Sequence, residues 1–325
     1  MTDSTIPSGS VRKIDTTYWL AVLAAFFVTI LWSSSFVIIK FGLVEIPPLI
    51  FAGLRYILAA IILLSASLAI PSHRKEIRTL PKIWWRRLII YGLVYYTITM
   101  GTQFIGLALL PALTVSFILN FTTILVVIFA FFVLQETPNR KQIILVFIAL
   151  LGAYFYFWPV DILTSSLFGI LVVVISLVAN ALAAIIGRGI NRSQEISALV
   201  VTAISMTIGA IFLLVAGFIT TPIIVLSPWG IITILWLAIV NTALAFTLWN
   251  KAMQRLSALE TTIINSTMLA QIAILALFFL GEIPTLIDWI GILLVMVAAM
   301  LIPLLRTRKA ISTTKKKEYY SGIGK

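Results

Sequence analysis

One charge lies well inside an apolar run of this sequence. It is Arg55, about two helical turns into a segment that begins at Pro48. An ionisable side chain in hydrocarbon marks a functional site by default. A guanidinium can grip a carboxylate or phosphate through two parallel hydrogen bonds. A structural Arg, snorkelling outward or bonded to carbonyls at a helix end, is the competing reading. Uncharged polar residues recur around it at helical spacing. Tyr95, Thr99 and Gln103 share one face of a third segment, and Ser116, Asn120 and Thr123 one stripe of a fourth. Ser176 and Asn180 pair on a sixth, Asn241 and Trp249 lie on an eighth, and Trp32-Ser33-Ser34-Ser35 lies on the first. The ninth holds Thr261 with Asn265 and Thr267 with Gln271. Hydroxyls, amides and aromatic rings suit a small amphipathic solute, although such groups also knit helices together by interhelical hydrogen bonds. The candidate substrate-binding set is therefore Trp32, Ser33, Ser35, Arg55, Tyr95, Thr99, Gln103, Asn120, Asn180, Asn241, Trp249, Asn265 and Gln271.

Catalysis has little to work with. There is no Cys, and the one His, His73, falls in a basic loop. No Asp or Glu lies deep in an apolar run, so a nucleophile–base pair or a metal cluster has no obvious members. No catalytic residue, metal or cofactor is expected. Proton relays usually need intramembrane carboxylates, so facilitated diffusion or exchange is favoured over proton coupling.

The elements that must position these groups follow from composition. Of 325 residues, 61% are hydrophobic and 10% charged, with a mean hydropathy of +1.14. A soluble domain carries roughly 25% charged residues, and a disordered chain is poor in apolar ones. Both are excluded. A membrane-crossing helix needs about 20 apolar residues. Ten segments qualify: Tyr18–Ile39, Pro48–Ile70, Leu88–Ala108, Pro111–Leu134, Gln142–Trp158, Ser166–Ile186, Ile196–Ile219, Pro228–Asn250, Ala258–Leu280 and Thr285–Leu305. The first run follows a polar tail, is a full span long and has no small-residue cleavage pattern behind it, so no signal peptide is expected. The expectation is an all-α integral membrane protein.

Charge placement tests the count. With both termini cytoplasmic, 21 of the 23 basic residues fall on the cytoplasmic side, and only Lys40 and Arg55 remain. Glu45, Asp161, Glu282 and Asp288 fall in external connections. This is the positive-inside pattern, and it reads the net charge of +12 as an orientation signal, without nucleic acid. Trp84-Trp85 and Tyr154 to Trp158 are expected in interfacial belts. Lys315-Lys316-Lys317 is a candidate for anionic headgroups. All prolines but Pro303 lie in connections, tails or first turns, which predicts mostly unbroken helices.

The chain also repeats itself. Phe132 to Pro138, containing Glu136, matches Phe278 to Pro284, containing Glu282, at an offset of 146 positions. The same offset sets Ala112-Leu113 on Ala258-Leu259, and Tyr95, Thr99 and Gln103 on Asn241, Ala245 and Trp249. Lys40 falls on Arg188 with a further shift of two. Five helices per half require the second half to be inverted, an arrangement that suits alternating access. The expected organisation is a tail at 1–17, a first repeat at 18–158, a second repeat at 159–305 and a basic tail at 306–325.

Several of these features occur together in one family. Trp32-Ser33-Ser34-Ser35-Phe36-Val37-Ile38-Ile39-Lys40, Pro47-Pro48 followed by Arg55-Tyr56, Glu136, Gly281-Glu282 and Asp288-Trp289-Ile290-Gly291 resemble the signatures of the drug/metabolite transporter superfamily, EamA type. The resemblance covers about residues 18 to 305; Gln135 departs from a usual Gly, and the stretch after Asn265-Ser266 lacks an often-seen Pro. It implies a ten-helix permease of two inverted five-helix repeats with a central cavity. It further implies a multi-pass protein of the cell (inner) membrane carrying metabolites such as amino acids, often outward. The expected partners are a small-molecule substrate and membrane lipids, the chain acting as a monomer or weak dimer. Importers or exchangers of nucleotide-linked or S-adenosyl-type metabolites are the alternative within the class. A channel is the alternative outside it.

Overall fold

The structure, a computed structural model, describes residues 16–134, 140–158, 164–192, 195–221, 225–253, 256 and 264–301. Among these there are helices and turns and no strand. The bundle helices are α1 (Thr16–Gly42), α2 (Pro48–Ala69), α3 (Lys82–Leu109) and α4, the last in two pieces, Ala112–Asn120 and Thr122–Leu134. They continue as α5 (Arg140–Tyr156), α6 (Thr164–Arg192), α7 (Ala198–Thr220) and α8 (Pro228–Ala238, Ile239–Leu244 and Ala245–Met253). The last are α9 (Ile264–Leu280) and α10 (Leu286–Leu301). A short helix, Pro71–Arg78, follows α2. Six of these helices are long and apolar enough to cross a membrane, and four are shorter apolar helices.

Their ends follow local chemistry. Pro48 and Pro228 sit in first turns, where the missing N–H costs nothing. Gly281, at φ 67°, closes α9 in the left-handed conformation that a side chain would oppose. Acidic side chains serve helix N-termini, where the backbone N–H groups are unpaired. Glu76 accepts from Ser197 N at the start of α7, and Asp288 from Thr285 N before α10.

The packing is that of a membrane protein. Large apolar side chains such as Leu23, Phe147, Phe168, Phe218 and Trp229 face outward. Small residues let helices approach inside. A Cβ on Gly209 would collide with Tyr96 and Gly92 of α3, and one on Gly291 with the Gly152 carbonyl of α5.

The helices are less regular than their proline distribution predicts. Residues Gly92–Thr99 of α3 and Ile239–Leu244 of α8 wind as π-helix. Both α4 and α9 break for one residue, at Phe121 and Thr267, which are 146 positions apart. At each break the amide bonds back three residues, Phe121 to Ile118 and Thr267 to Ile264, both at 3.1 Å. No proline is involved. A threonine hydroxyl bonds a carbonyl of the preceding turn each time: Thr122 donates to Leu119 O, and Thr267 to Ile264 O, which also accepts the Thr267 amide. Two kinds of irregularity thus recur at the offset of the repeat. Glu136, Gln135, Asp161, Glu260, Thr261, Ala258-Leu259, residues 1–15 of the first tail and the whole of the last lie outside the described residues, while Thr16 and Thr17 already belong to α1.

Two further expectations change. α3 starts at Lys82 rather than Leu88, because its first turns are amphipathic. Its Trp84 is buried, donating to Glu195 Oε2 at 3.0 Å beneath the Arg87 guanidinium, so only Trp85 of that pair is exposed. Tyr154 and Trp158 are exposed, whereas Tyr156 stacks on Phe117 at 4.0 Å.

Candidate functional site

A cavity of about 280 Å³ opens between α1, α2, α3, α4, α6, α8 and α9. Eight of the candidate residues line it: Trp32, Ser35, Arg55, Tyr95, Gln103, Asn120, Asn180 and Asn265. The broken helices supply its middle. Leu119, Asn120, Thr122 and Thr123 contribute from α4, and Asn265, Ser266, Met268 and Leu269 from α9. These sets are equivalent, position by position, at the repeat offset, and so are Met100 and Phe246 on the two π-wound helices. A break tilts the helix surface, so residues on both sides of it can reach one space.

Arg55 is 4% exposed and lines the cavity. Its Nε donates to Thr242 Oγ1 at 2.9 Å, and Nη2 makes long contacts, 3.5 Å, with Ser35 Oγ and Asn241 O. The Tyr56 ring lies 5.3 Å from the guanidinium carbon and Phe104 lies 6.0 Å away. No carboxylate of the described residues pairs with it, and it is the one charged side chain among the described lining. It does not snorkel. A cation held among neutral dipoles and ring faces keeps an unmet demand for an anion.

Asn120 makes the complementary offer. Its Oδ1 is buried and accepts no hydrogen bond among the described residues. Buried acceptors without a donor are rare enough to need a reason. Nearby, Asn180 Nδ2 donates to Thr122 Oγ1 at 3.1 Å, tying α6 to the break in α4.

Five candidates lie outside the lining and hold helices together instead. Ser33 donates to Gln271 Oε1 at 2.9 Å, and Gln271 Nε2 donates to Thr29 and Thr267, at 3.0 and 3.1 Å. Asn241 is fully buried, its Nδ2 donating to Leu31 O, Ser34 and Ser35 of α1. Thr99 donates to Val94 O inside the π-wound stretch, and its own carbonyl accepts from Ser176. Trp249 packs on Trp32, ring centroids 5.0 Å apart. Helical spacing placed these residues on interior faces, where a neighbouring helix took the polar group before a solute could.

Lys40, the other basic residue left over from the charge pattern, is also outside the lining. Its Nζ donates to Leu107 O and Leu110 O at 2.9 and 3.0 Å, at the C-terminus of α3. Directly after that corner, Glu282 accepts from Ala112 N and Leu113 N at 2.7 and 2.8 Å, at the N-terminus of α4. A cation at one helix's C-terminus and an anion at the next one's N-terminus both favour the helix dipoles.

The lining also includes Phe36, Ile39, Tyr56, Met100, Leu119, Phe246, Ser266, Met268, Leu269 and Ile272. In a sequence this apolar, an aliphatic cavity residue carries no signal of its own. Thr122 was hidden differently: the break at Phe121 changes the helical phase that grouped Ser116, Asn120 and Thr123.

The EamA-like transporter family matches residues 19–158 and again residues 167–304. The uncharacterized transporter YvbV of Bacillus subtilis (strain 168) is 28% identical over 205 residues, covering 61% of this chain and 62% of its own. The chain thus spans slightly less than two thirds of that relative. YoaV, another uncharacterized transporter of Bacillus subtilis (strain 168), is 26% identical over 256 residues, 78% of this chain and 84% of its own. A protein of Salmonella typhimurium named a probable amino-acid metabolite efflux pump is 26% identical over 250 residues, 71% of this chain and 77% of its own. A solved crystal structure superposes with a TM-score of 0.65 at 17% identity, over 88% of this chain and 97% of that one, which is a likeness of fold. The two family matches meet the repeated breaks and π-wound stretches of a multi-pass helical bundle, and the chain is a member of the EamA-like transporter family, a transporter rather than an enzyme.

Proposed function

We propose that this transporter is a secondary carrier of amino acids or closely related small metabolites, moving them outward by alternating access through the cavity. The observation that carries the reading is Arg55, a buried cation facing the cavity with no acidic partner among the described residues. A substrate carboxylate would meet it through charge-assisted hydrogen bonds. The free acceptor of Asn120 supplies a place for the ammonium or another N–H of the same solute. The printed name of the Salmonella typhimurium relative supports both the solute class and the direction. The described lining holds no carboxylate, which favours exchange or facilitated diffusion over proton coupling. The charge pattern supports a cell-membrane protein with both termini cytoplasmic.

Thermal unfolding of the purified protein tests this. A ligand that binds only the folded state raises the midpoint by mass action. L-amino acids at millimolar concentration should raise it, while polyamines, which bring cations to a cation, should not. Arg55→Ala should remove the shift and the transport while protein abundance stays near wild type. Loss of abundance alone would overturn the ligand role of Arg55.

A further inference from the structure

The two breaks share a backbone and differ in chemistry. Around the first, the cavity is lined by Asn120, Thr122 and Thr123, with Asn180 behind them on α6. Around the second, Asn265 and Ser266 line the cavity before the break, and the positions equivalent to Thr122 and Thr123 after it are Met268 and Leu269, with Ile272 one turn on. Phe246 of the second π-wound helix extends the apolar wall, its ring 5.5 Å from that of Trp32. α4 packs on α6 and α9 on α1, the helix that brings Trp32 and Phe36, and the two broken helices meet each other where Leu269 packs with Leu113 and Phe117.

We propose that the wall formed by Met268, Leu269, Ile272 and Phe246 is the side-chain specificity surface of the carrier, selecting solutes with a branched aliphatic or aromatic group. This rests on the amino-acid reading above, and it adds an orientation. The ionic head lies between Arg55 and Asn120, and the apolar group lies across the second break. A fully polar solute would have to leave these four side chains against its own hydroxyl or amide, which costs it hydrogen bonds it had in water. A hydrophobic pocket discriminates by about tenfold or more per group of this size.

Met268 is the position to test, because it is only partly buried and its neighbour Leu269 belongs to a packed core. Met268→Gln keeps the length of the side chain and replaces its thioether by an amide; Met268→Leu keeps the surface apolar. The apparent Kd values for L-leucine and L-serine are measured by thermal shift, together with the midpoint of each unliganded variant. Wild type should prefer leucine by about tenfold or more. Met268→Gln should lose most of that preference, with an unliganded midpoint close to wild type, and Met268→Leu should keep it. Equal binding of leucine and serine by wild type overturns the proposal, as does a Met268→Gln variant that weakens both equally. Folded wild-type protein that binds neither amino acid overturns the amino-acid reading and this proposal with it.

Discussion

The first break, in α4, and the second, in α9, are the same device tied down in different ways. Each tightens to a three-residue hydrogen bond, each is stabilised by a threonine, and each is fastened to the opening helix of the other repeat. The fastening differs. One bond, Asn180 to Thr122, holds the first break to α6. At the second, Gln271 takes three partners, two of them, Ser33 and Thr29, on α1 and the third Thr267 at the break itself. Duplication keeps backbone geometry more faithfully than side-chain chemistry, because geometry is shared by every residue of the turn and chemistry can change one residue at a time. The result is a near-symmetric frame around an asymmetric cavity, its lining polar just after the first break and apolar just after the second.

That contrast can be broken or sharpened in order of effect. The largest change should come from a contact that is not part of either break. Gly209 lets α7 touch the π-wound stretch of α3, and a Cβ there would stand 2.4 Å from Tyr96 Cβ and 2.6 Å from Gly92 O. Neither atom can yield without moving backbone, so Gly209→Val should lower unfolding stability by about 3 kcal/mol or more, seen as a large fall in thermal midpoint. Next comes Gln271→Leu. Two of its three hydrogen bonds run between helices, where such bonds average about 0.6 kcal/mol in a membrane, so the loss should come to about 1.2 kcal/mol or more in denaturant unfolding in micelles. Asn180→Leu removes one such bond and should cost about 0.6 kcal/mol. An Asn180 variant costing as much as the Gln271 variant would mean that the two breaks are fastened equally.

The number of helices, their inversion and their ends were legible because each leaves a long pattern: runs of apolar residues, a one-sided basic bias, prolines in first turns. Arg55 was legible for the opposite reason, as a single charge where charge is costly. The breaks at Phe121 and Thr267 were not. Helix breaks are usually sought at Pro or Gly, and here a threonine hydroxyl and a shortened hydrogen bond suffice. The polar side chains were found, but their assignment between solute and helix needed distances: Asn120 and Asn241 look alike in sequence, and only one faces the cavity. Met268 and Leu269 could not be told from lipid-facing residues until the fold enclosed them.

The partners of Arg55 also bear on how this protein is made. Thr242 and Asn241 lie 187 and 186 positions later in the chain. A ribosome delivers α2 to the bilayer long before it has synthesised the turn of α8 that receives the guanidinium. During that interval the helix enters with a charge whose insertion costs about 3 kcal/mol, carried by the apolar residues around it. Its final seat forms only when the second repeat arrives. Neither repeat alone therefore holds the guanidinium in its full set of partners, which come from α1 and α8 together.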